Sequence, residues 1–473
     1  MKYNILLISP PVAPAVPAPG TSEGKLAKKA FAKQKLGALP PLGLLYLASE
    51  LLEAGQNVEV VDFNARNYSQ ELLSNLLHNK DIVGLSVFSF NRKEVDMVIA
   101  DIKTLSPHTK IIVGGPDITL YPRVIDKADA AIIGEAEDRI VGVVEALVNG
   151  HTLEQYKGVL VRNNGKVTGN PECQIQMDLD KVKFPARHIL KEKYSLWGEK
   201  LANKVTTIVT TRGCPFSCKF CAHNRITYKH RARGVKNVLD EIELIYQQGY
   251  EILGIVDETF TISRKRMVQI AEGIIERKIK LLLAIEGRVA PADDELYKLL
   301  RKAGTRLLYF GIESGNQEVL NFYRKGVTVE QNRNAIELAN KNSIFSVGSF
   351  ILGAPIETKK HFDRTIKFAC KTPLDFGNFF VLEYTYGSEL WDEAYASGKV
   401  KADEFDVPAD SARGLGQFTK QKLETACTRA FYRFYIRPKW WIRELQKLIA
   451  ERDKRIVRLF FHIVKVAIAQ LTA

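Results

Sequence analysis

The sequence predicts an α/β protein in three parts: a doubly wound, Rossmann-like N-terminal domain, a partial (β/α)6 barrel, and a helical C-terminal region. Three observations predict it. Short β-branched runs alternate with helical stretches over residues 1–150 and again over 201–400, the pattern of parallel sheets covered by helices. Nearly every such run closes on glycine or a charged residue. Three cysteines, Cys214, Cys218 and Cys221, directly follow one of them, at the C-terminal strand end where parallel α/β folds place their chemistry.

The N-terminal elements read in order. Tyr3 to Ser9 is a buried strand ending at Pro10-Pro11, and Leu42 to Ala54 is an apolar helix stopped by Gly55. Val58 to Asp62, Ile82 to Phe88, Lys110 to Val113 and Ala130 to Ile133 are four further strands. Ser86 and Ser89 flank the end of the third strand, Gly114-Gly115-Pro116 follows the fourth, and Gly134-Glu135 follows the fifth. Glycines there let a bulky ligand approach the backbone. No G-x-G-x-x-G opens the first helix, which argues against a dinucleotide site.

Residues 151–200 read as a linker carrying a hairpin at Asn163-Asn164-Gly165. Alternation resumes at Val205. Strands are expected at 205–211, 252–256, 281–285, 306–310, 346–352 and 378–382. They lead to the cysteines, Asp257-Glu258, Glu286-Gly287-Arg288, Gly311-Ile312-Glu313-Ser314-Gly315, Gly353-Ala354-Pro355 and Glu383. Six units are too few to close an eight-fold barrel, so an open one with a lateral mouth is expected. Charged groups at successive strand ends suit a small ligand with an amine, a carboxylate and hydroxyls. Asp257 and Glu258 as helix N-caps, and Arg288 as a structural ion pair, remain alternatives.

The cysteine spacing is C-x3-C-x2-C. Three soft thiolates in eight residues favour an iron–sulfur cluster with one open iron. Zinc is the competing reading, but it prefers C-x2-C pairs and needs a fourth ligand. Cys173, Cys370 and Cys427 are scattered, and six cysteines in 473 residues exclude a disulfide framework. The first apolar run is too short for a secretory signal, and no run of 18 apolar residues occurs. A cytoplasmic protein is expected. The net charge is +14, of which +8 falls within 429–473. A second basic run is Lys25 to Lys35. The C-terminal region, 401–473, reads as basic amphipathic helices. They could cap the barrel or lie on an anionic membrane surface at its inner face. No RNA-binding motif accompanies the charge, so nucleic acid is the weaker reading.

The cysteine motif, with Phe220 before its last member, resembles the radical S-adenosylmethionine (SAM) superfamily. The first third resembles the cobalamin-binding domain of one branch of it, which includes the anaerobic magnesium-protoporphyrin cyclase and the hopanoid methylases. Pro40-Pro41-Leu42-Gly43 and the glycine motifs above occur in the same order. The resemblance implies that Cys214, Cys218 and Cys221 hold a 4Fe–4S cluster. Its open iron would chelate SAM, and reduction would release a 5′-deoxyadenosyl radical. Phe220, Asp257, Glu258, Arg288, Glu313 and Ser314 would line those cofactors. Pro10, Ser86, Gly114, Gly115, Asp117, Gly134 and Glu135 would face cobalamin.

Two departures stand out. Asp117 follows Gly-Gly-Pro where relatives often carry His, and no Asp-x-His-x-x-Gly occurs, so cobalamin would bind without a histidine ligand to cobalt. Tyr386-Gly387-Ser388 replaces the family's Pro-Gly-Thr at the barrel mouth.

The implied function is methylation of an unactivated carbon in a hydrophobic substrate of lipid, isoprenoid or tetrapyrrole type, with flavodoxin or ferredoxin as electron donor. Cyclisation, rearrangement or oxidation without methyl transfer is the alternative. A non-catalytic cobalamin or redox sensor is the remote one.

Overall fold

The computed structural model of the protein describes residues 2–12, 39–163, 165–192, 194, 204–227, 229–451, 455, 457 and 461. The chain divides into two compact units, Met1–Asn203 and Lys204–Ala473. The basic run at Lys25 to Lys35 lies outside the described residues.

The first unit is a seven-stranded sheet. Its strands are β1 (Asn4–Ser9), β2 (Asn57–Asp62), β3 (Ile82–Ser86), β4 (Lys110–Gly114), β5 (Ala130–Ile132), β6 (Val159–Asn163) and β7 (Lys166–Asn170), in the order β2-β1-β3-β4-β5-β6-β7. The first five are parallel, with helices α1 (Leu42–Glu53), α2 (Gln70–Leu77), α3 (Arg92–Leu105), α4 (Pro116–Leu120) and α5 (Ile140–Asn149) between or after them. Ile5 to Ile8 are fully buried, as befits a central strand covered on both faces. Gly55, in the left-handed region at φ 79°, follows α1. The Ser69 hydroxyl accepts from the Leu72 amide to start α2. β3 stops at Ser86, two residues short of the expected Phe88, because the Phe88 amide turns away to the Asn91 side chain. The expected hairpin forms, and its strands extend the sheet antiparallel beyond β5.

The second unit is an all-parallel sheet of six strands: β8 (Val205–Ile208), β11 (Ile252–Ile255), β12 (Leu282–Gly287), β13 (Thr305–Glu313), β14 (Phe345–Leu352) and β15 (Phe376–Val381). Each neighbours the next in sequence order, and β8 and β15 remain as edges, so the sheet is open. Between β8 and β11 lie the short antiparallel pair β9 (Thr211–Arg212) and β10 (Arg231–Ala232), α6 (His223–Thr227) and α7 (Val235–Gln247). The later strands alternate with α8 (Arg264–Glu276), α9 (Asp294–Lys302), α10 (Gln317–Phe322), α11 (Val329–Lys341) and α12 (Lys359–Lys371). Side-chain caps start several of them: Asp293 accepts from the Leu296 amide, and Thr328 forms a reciprocal box with Gln331.

After β15 come β16 (Glu383–Thr385), α13 (Glu389–Ala396), β17 (Asp406–Pro408), α14 (Lys420–Tyr435) and α15 (Pro438–Ala450). Pro438 at the first turn restarts the helix after α14. Phe434 and Trp440 are buried and pack these helices against the β15 side of the sheet. Capping of the barrel is thereby realised for α14 and part of α15. The expected apolar face at Leu459, Phe460, Ile463, Val464, Ala467 and Ile468 lies outside the described residues.

Candidate functional site

The cysteine loop begins where β8 ends. The Asp257 carboxylate is buried beside it and accepts from the Thr210 amide at 2.6 Å and from the Thr210 and Thr211 hydroxyls at 2.5 and 2.9 Å. Burial pushes this carboxyl upward, and these hydrogen bonds oppose the push. Both oxygens are engaged, so Asp257 holds the entry to the loop. Glu258 accepts from the Gly213 amide at 3.2 Å. Gly213 sits at φ 87°, and a Cβ there would lie 2.4 Å from the Lys229 carbonyl, so only glycine makes this turn.

Cys214, Cys218 and Cys221 are free, half-buried thiols. The Cys221 amide donates to the Cys218 carbonyl at 3.1 Å, curling the loop. Burial pushes the Cys221 thiol up to about 11, and Cys218 and Cys214 add to the rise, so the three sulfurs share one electrostatic space. Burial also raises Cys214, opposed by Arg288. Among the described residues no three His, Cys, Asp or Glu side chains converge on a point as a single metal ion requires. A cuboidal cluster instead spreads its thiolates over separate irons, and its charge deprotonates them.

Arg288 follows β12 and faces this loop. Its guanidinium carbon lies 3.8 Å from the Phe216 ring centroid, and Nη1 lies 3.8 Å from Cys218 Sγ. Its backbone is clamped at both ends by the Thr261 hydroxyl, which accepts from the amide at 2.8 Å and donates to the carbonyl at 2.9 Å. Nη2 is buried and has no hydrogen-bond partner among the described residues. An orphaned cationic donor beside three thiols fits an anionic cluster and a ligand carboxylate.

Glu313 ends β13 with φ 62°, a conformation that costs a non-glycine residue energy. Its carboxylate accepts from Lys325 Nζ at 2.6 Å in a buried pair folded back over Gly311, where a Cβ would lie 2.4 Å from Glu313 Oε1. Lys325 in turn influences Cys221. Ser314 is fully buried and shares a hydrogen bond with the Thr365 hydroxyl of α12 at 3.1 Å. Phe220 meets the buried Tyr323 edge-on at 5.0 Å.

An acidic row on α13 grips the loop from outside. Lys219 pairs with Glu393 at 2.7 Å and with Glu389 at 3.4 Å, and Arg324 forms a fork on Glu389 at 2.6 and 2.8 Å. Arg225 pairs with Asp392. The Leu390 amide donates to the Lys219 carbonyl at 3.0 Å. Sequence reasoning missed Phe216, Lys325 and this row; no local motif marks a contact across 170 residues.

In the first unit the strand order places a topological switch between β1 and β3, where open sheets bind ligands. Pro10 is buried just past β1, Ser86 ends β3, and Gly114 and Gly115 close β4. A Cβ on Gly115, at φ 109°, would lie 2.8 Å from the Val87 carbonyl. Asp117 is buried between Arg92 and Arg123, accepting from Arg92 Nε at 2.7 Å and Arg123 Nη2 at 2.6 Å. Gly134 is covered by the backbone of Gln174, 2.1 Å from where its Cβ would be. Glu135 accepts from the Gln176 amide at 2.6 Å. The sequence brings Pro10, Ser86 and the two glycines to the switch edge, whereas the Gly134-Glu135 pair anchors the chain after the hairpin.

Comparison with known proteins agrees with this geometry. The Radical SAM superfamily matches residues 208–369, and the B12 binding domain matches residues 31–144. An uncharacterised methyltransferase of Pyrococcus horikoshii is 28% identical over 467 residues, covering 96% of this chain and 97% of its own. The anaerobic magnesium-protoporphyrin IX monomethyl ester cyclase of Rubrivivax gelatinosus is 30% identical over 387 residues, covering 78% and 68%. The cobalamin-dependent SAM radical enzyme OxsB, solved with aqua-cobalamin bound, superposes with a TM-score of 0.71 at 17% identity, over 99% of this chain and 72% of its own. With the cysteine loop on its barrel edge and the 2-1-3-4-5 sheet in one chain, the protein belongs to the radical SAM enzymes that carry a cobalamin-binding domain.

Proposed function

We propose that this chain is a C-methyltransferase acting on an unactivated carbon of a hydrophobic substrate of lipid, isoprenoid or tetrapyrrole type. The observation that carries the reading is Arg288, an unsatisfied buried cation held against the middle of the cysteine loop. When bound, the 4Fe–4S cluster supplies the electron that cleaves SAM to methionine and a 5′-deoxyadenosyl radical, and cobalamin carries the methyl group. The chain does the rest. Cys214, Cys218 and Cys221 hold the cluster, and Arg288 offers its free Nη2 to a carboxylate beside it. Glu258 and Asp257 fix the loop that carries the thiols. The Glu313–Lys325 pair sets the floor under Gly311. Ser86, Gly114 and Gly115 present the switch edge of the first sheet to cobalamin.

A near full-length relative described as a methyltransferase supports methyl transfer. The cyclase at 30% identity supports the second reading, cyclisation, rearrangement or oxidation with cobalamin retained. Flavodoxin or ferredoxin serves as donor in either case, at the low end of the range of cluster potentials. No helix among the described residues is long and apolar enough to cross a membrane. Ile436, between α14 and α15, and Trp441, Ile442, Leu445 and Ile449 of α15 are exposed, which supports peripheral contact with the inner membrane face.

The test is anaerobic reconstitution with iron, sulfide and hydroxocobalamin, then dithionite and SAM. Mass spectrometry reads 5′-deoxyadenosine and S-adenosylhomocysteine, with Cys218→Ala as control. Both products, with deoxyadenosine lost in the variant, support the methylase. Deoxyadenosine alone favours the second reading. Neither product from protein with a full cluster overturns the enzyme assignment.

A further inference from the structure

The sheet of the second unit has an outer face against helices and an inner face away from them. Phe350 packs on Phe368 of α12, and Phe379 packs on Phe434 of α14, so these residues face outward. Their neighbours Ser349, Ile351, Asn378 and Phe380 therefore face inward. The inner face is layered. At its base Leu307, Phe345, Val347 and Phe376 are buried, and the rings of Phe345 and Phe376 stack at 6.4 Å. Beyond them the character changes. The Tyr309 hydroxyl lies 2.6 Å from the Ser349 hydroxyl and accepts from the Asn378 side-chain amide at 3.3 Å, and Ser349 and Asn378 are paired in register. All three residues are half-buried. Ile351, paired with Phe380, forms the next layer, and Phe380 is 51% exposed. A polar band on β13, β14 and β15 thus lies between an apolar floor and an apolar rim, short of the strand ends at Glu313, Leu352 and Val381.

The band does not use up its own hydrogen-bonding capacity. The two hydroxyls share one hydrogen and keep the other. Asn378 gives one amide hydrogen and keeps the second, and its Oδ1 accepts from nothing among the described residues. Donors and an acceptor therefore remain together at one half-buried place. Apolar residues of similar shape could stand there without loss of stability, so the fold does not require the band. None of the three bonds a charged side chain. Glu286 of β12, on the same face, is exposed and bonds none of them. A charged group placed on the band would lose water without gaining an opposite charge. A neutral group that both donates and accepts would recover there the hydrogen bonds it gives up to reach it.

We propose that Tyr309, Ser349 and Asn378 form a specificity subsite for a neutral hydroxyl group of the substrate, with Ile351 and Phe380 against the apolar body beside it. This rests on the methylase reading and narrows it, from hydrophobic substrates in general to those that carry an alcohol. The ribose hydroxyls of SAM are the other source of the same chemistry, and the experiment separates the two.

The full chain is reconstituted without oxygen and dialysed to equilibrium against decan-1-ol, its isomer 1-methoxynonane, decanoate or decylammonium, and separately against SAM. The two isomers contain the same atoms, but the ether has no hydrogen to donate. The wild type binds the alcohol about fivefold more tightly than the ether, the scale of one neutral hydrogen bond. It binds the alcohol more tightly than either ion. Asn378→Leu and Ser349→Ala each reduce the alcohol-to-ether ratio to about twofold or less, with affinity for SAM unchanged. Asn378→Asp turns the preference towards decylammonium, which a general loosening of the fold does not do. Retained SAM affinity shows that a variant is folded, and Ser349→Ala carries the test if Asn378→Leu does not fold. Equal binding of alcohol and ether by the wild type overturns the proposal. So does a ratio that survives the substitutions. So does a loss of SAM affinity in a variant that keeps its iron, which assigns the band to the SAM ribose. Failure of the methylase reading is separately visible, as absence of 5′-deoxyadenosine from the wild type, because binding of the alcohol does not require turnover.

Discussion

The guanidinium of Arg288 lies 3.8 Å from the ring centroid of Phe216, so a strand end of the barrel is stacked on the residue midway between Cys214 and Cys218. Lysine keeps the charge but loses the planar fork and the stacking. Arg288→Lys should weaken SAM binding about tenfold, the equivalent of about 1.4 kcal/mol. Iron and sulfide content should stay at wild-type levels. Equilibrium dialysis beside iron analysis measures both, and a variant that loses iron as well would give Arg288 a structural role.

The acidic row on α13 should govern how firmly the cysteine loop keeps its cluster. Exposed ion pairs contribute about 0.2–1 kcal/mol each, and here several act on one loop. Glu389→Gln with Glu393→Gln should speed loss of iron to a chelator by about two- to tenfold. High salt should speed the wild type towards the variant. Equal rates in wild type and variant at low salt would show that the row is ornamental.

Much of this was legible beforehand, for local reasons. The strands announce themselves by β-branched runs, and the cysteine loop by three thiols in eight residues. The glycines were legible as positions but not as purposes. Gly134 is bare because the Gln174 backbone crosses it, and nothing in the sequence links residues forty apart. Asp117 was visible as a departure from its relatives; that Arg92 and Arg123 close on it is a tertiary fact. Gly353-Ala354-Pro355 has its physical reason four residues on, where Glu357 accepts from the Gly353 and Ala354 amides at 2.7 and 2.9 Å.

Glu357 also makes stability depend on pH. Burial raises it from 4.5 to about 7, against the two backbone hydrogen bonds that favour the carboxylate. The native state therefore holds a proton that the unfolded chain has released. Its contribution is full below about pH 4.5 and is lost as pH rises through about 7. That interval, at about 1.4 kcal/mol for each pH unit, amounts to at most about 3.5 kcal/mol. Glu357→Gln keeps an acceptor for both amides and cannot titrate. Its urea midpoint should vary less between pH 5 and 8 than that of the wild type, and identical slopes would contradict the assignment.

The exposed apolar stripe on α15 should carry membrane contact. The full chain should sediment with vesicles containing anionic phospholipid, and less so in high salt. Trp441→Ser with Leu445→Ser should weaken this about tenfold or more, since each removes a large apolar side chain from the contact. Sedimentation unchanged by both substitutions would place the contact elsewhere or abolish it.

An open sheet leaves edges, and the β15 edge is sealed by side chains. The Tyr435 hydroxyl accepts from the Gly377 amide at 3.2 Å, and the Trp440 indole donates to the Asp375 carbonyl at 2.8 Å. Two aromatic residues thus occupy hydrogen-bonding positions that another strand would otherwise take. A chain shortened before α14 would expose a long apolar edge able to template pairing between molecules, so its failure would show as insoluble aggregate rather than as a weak enzyme.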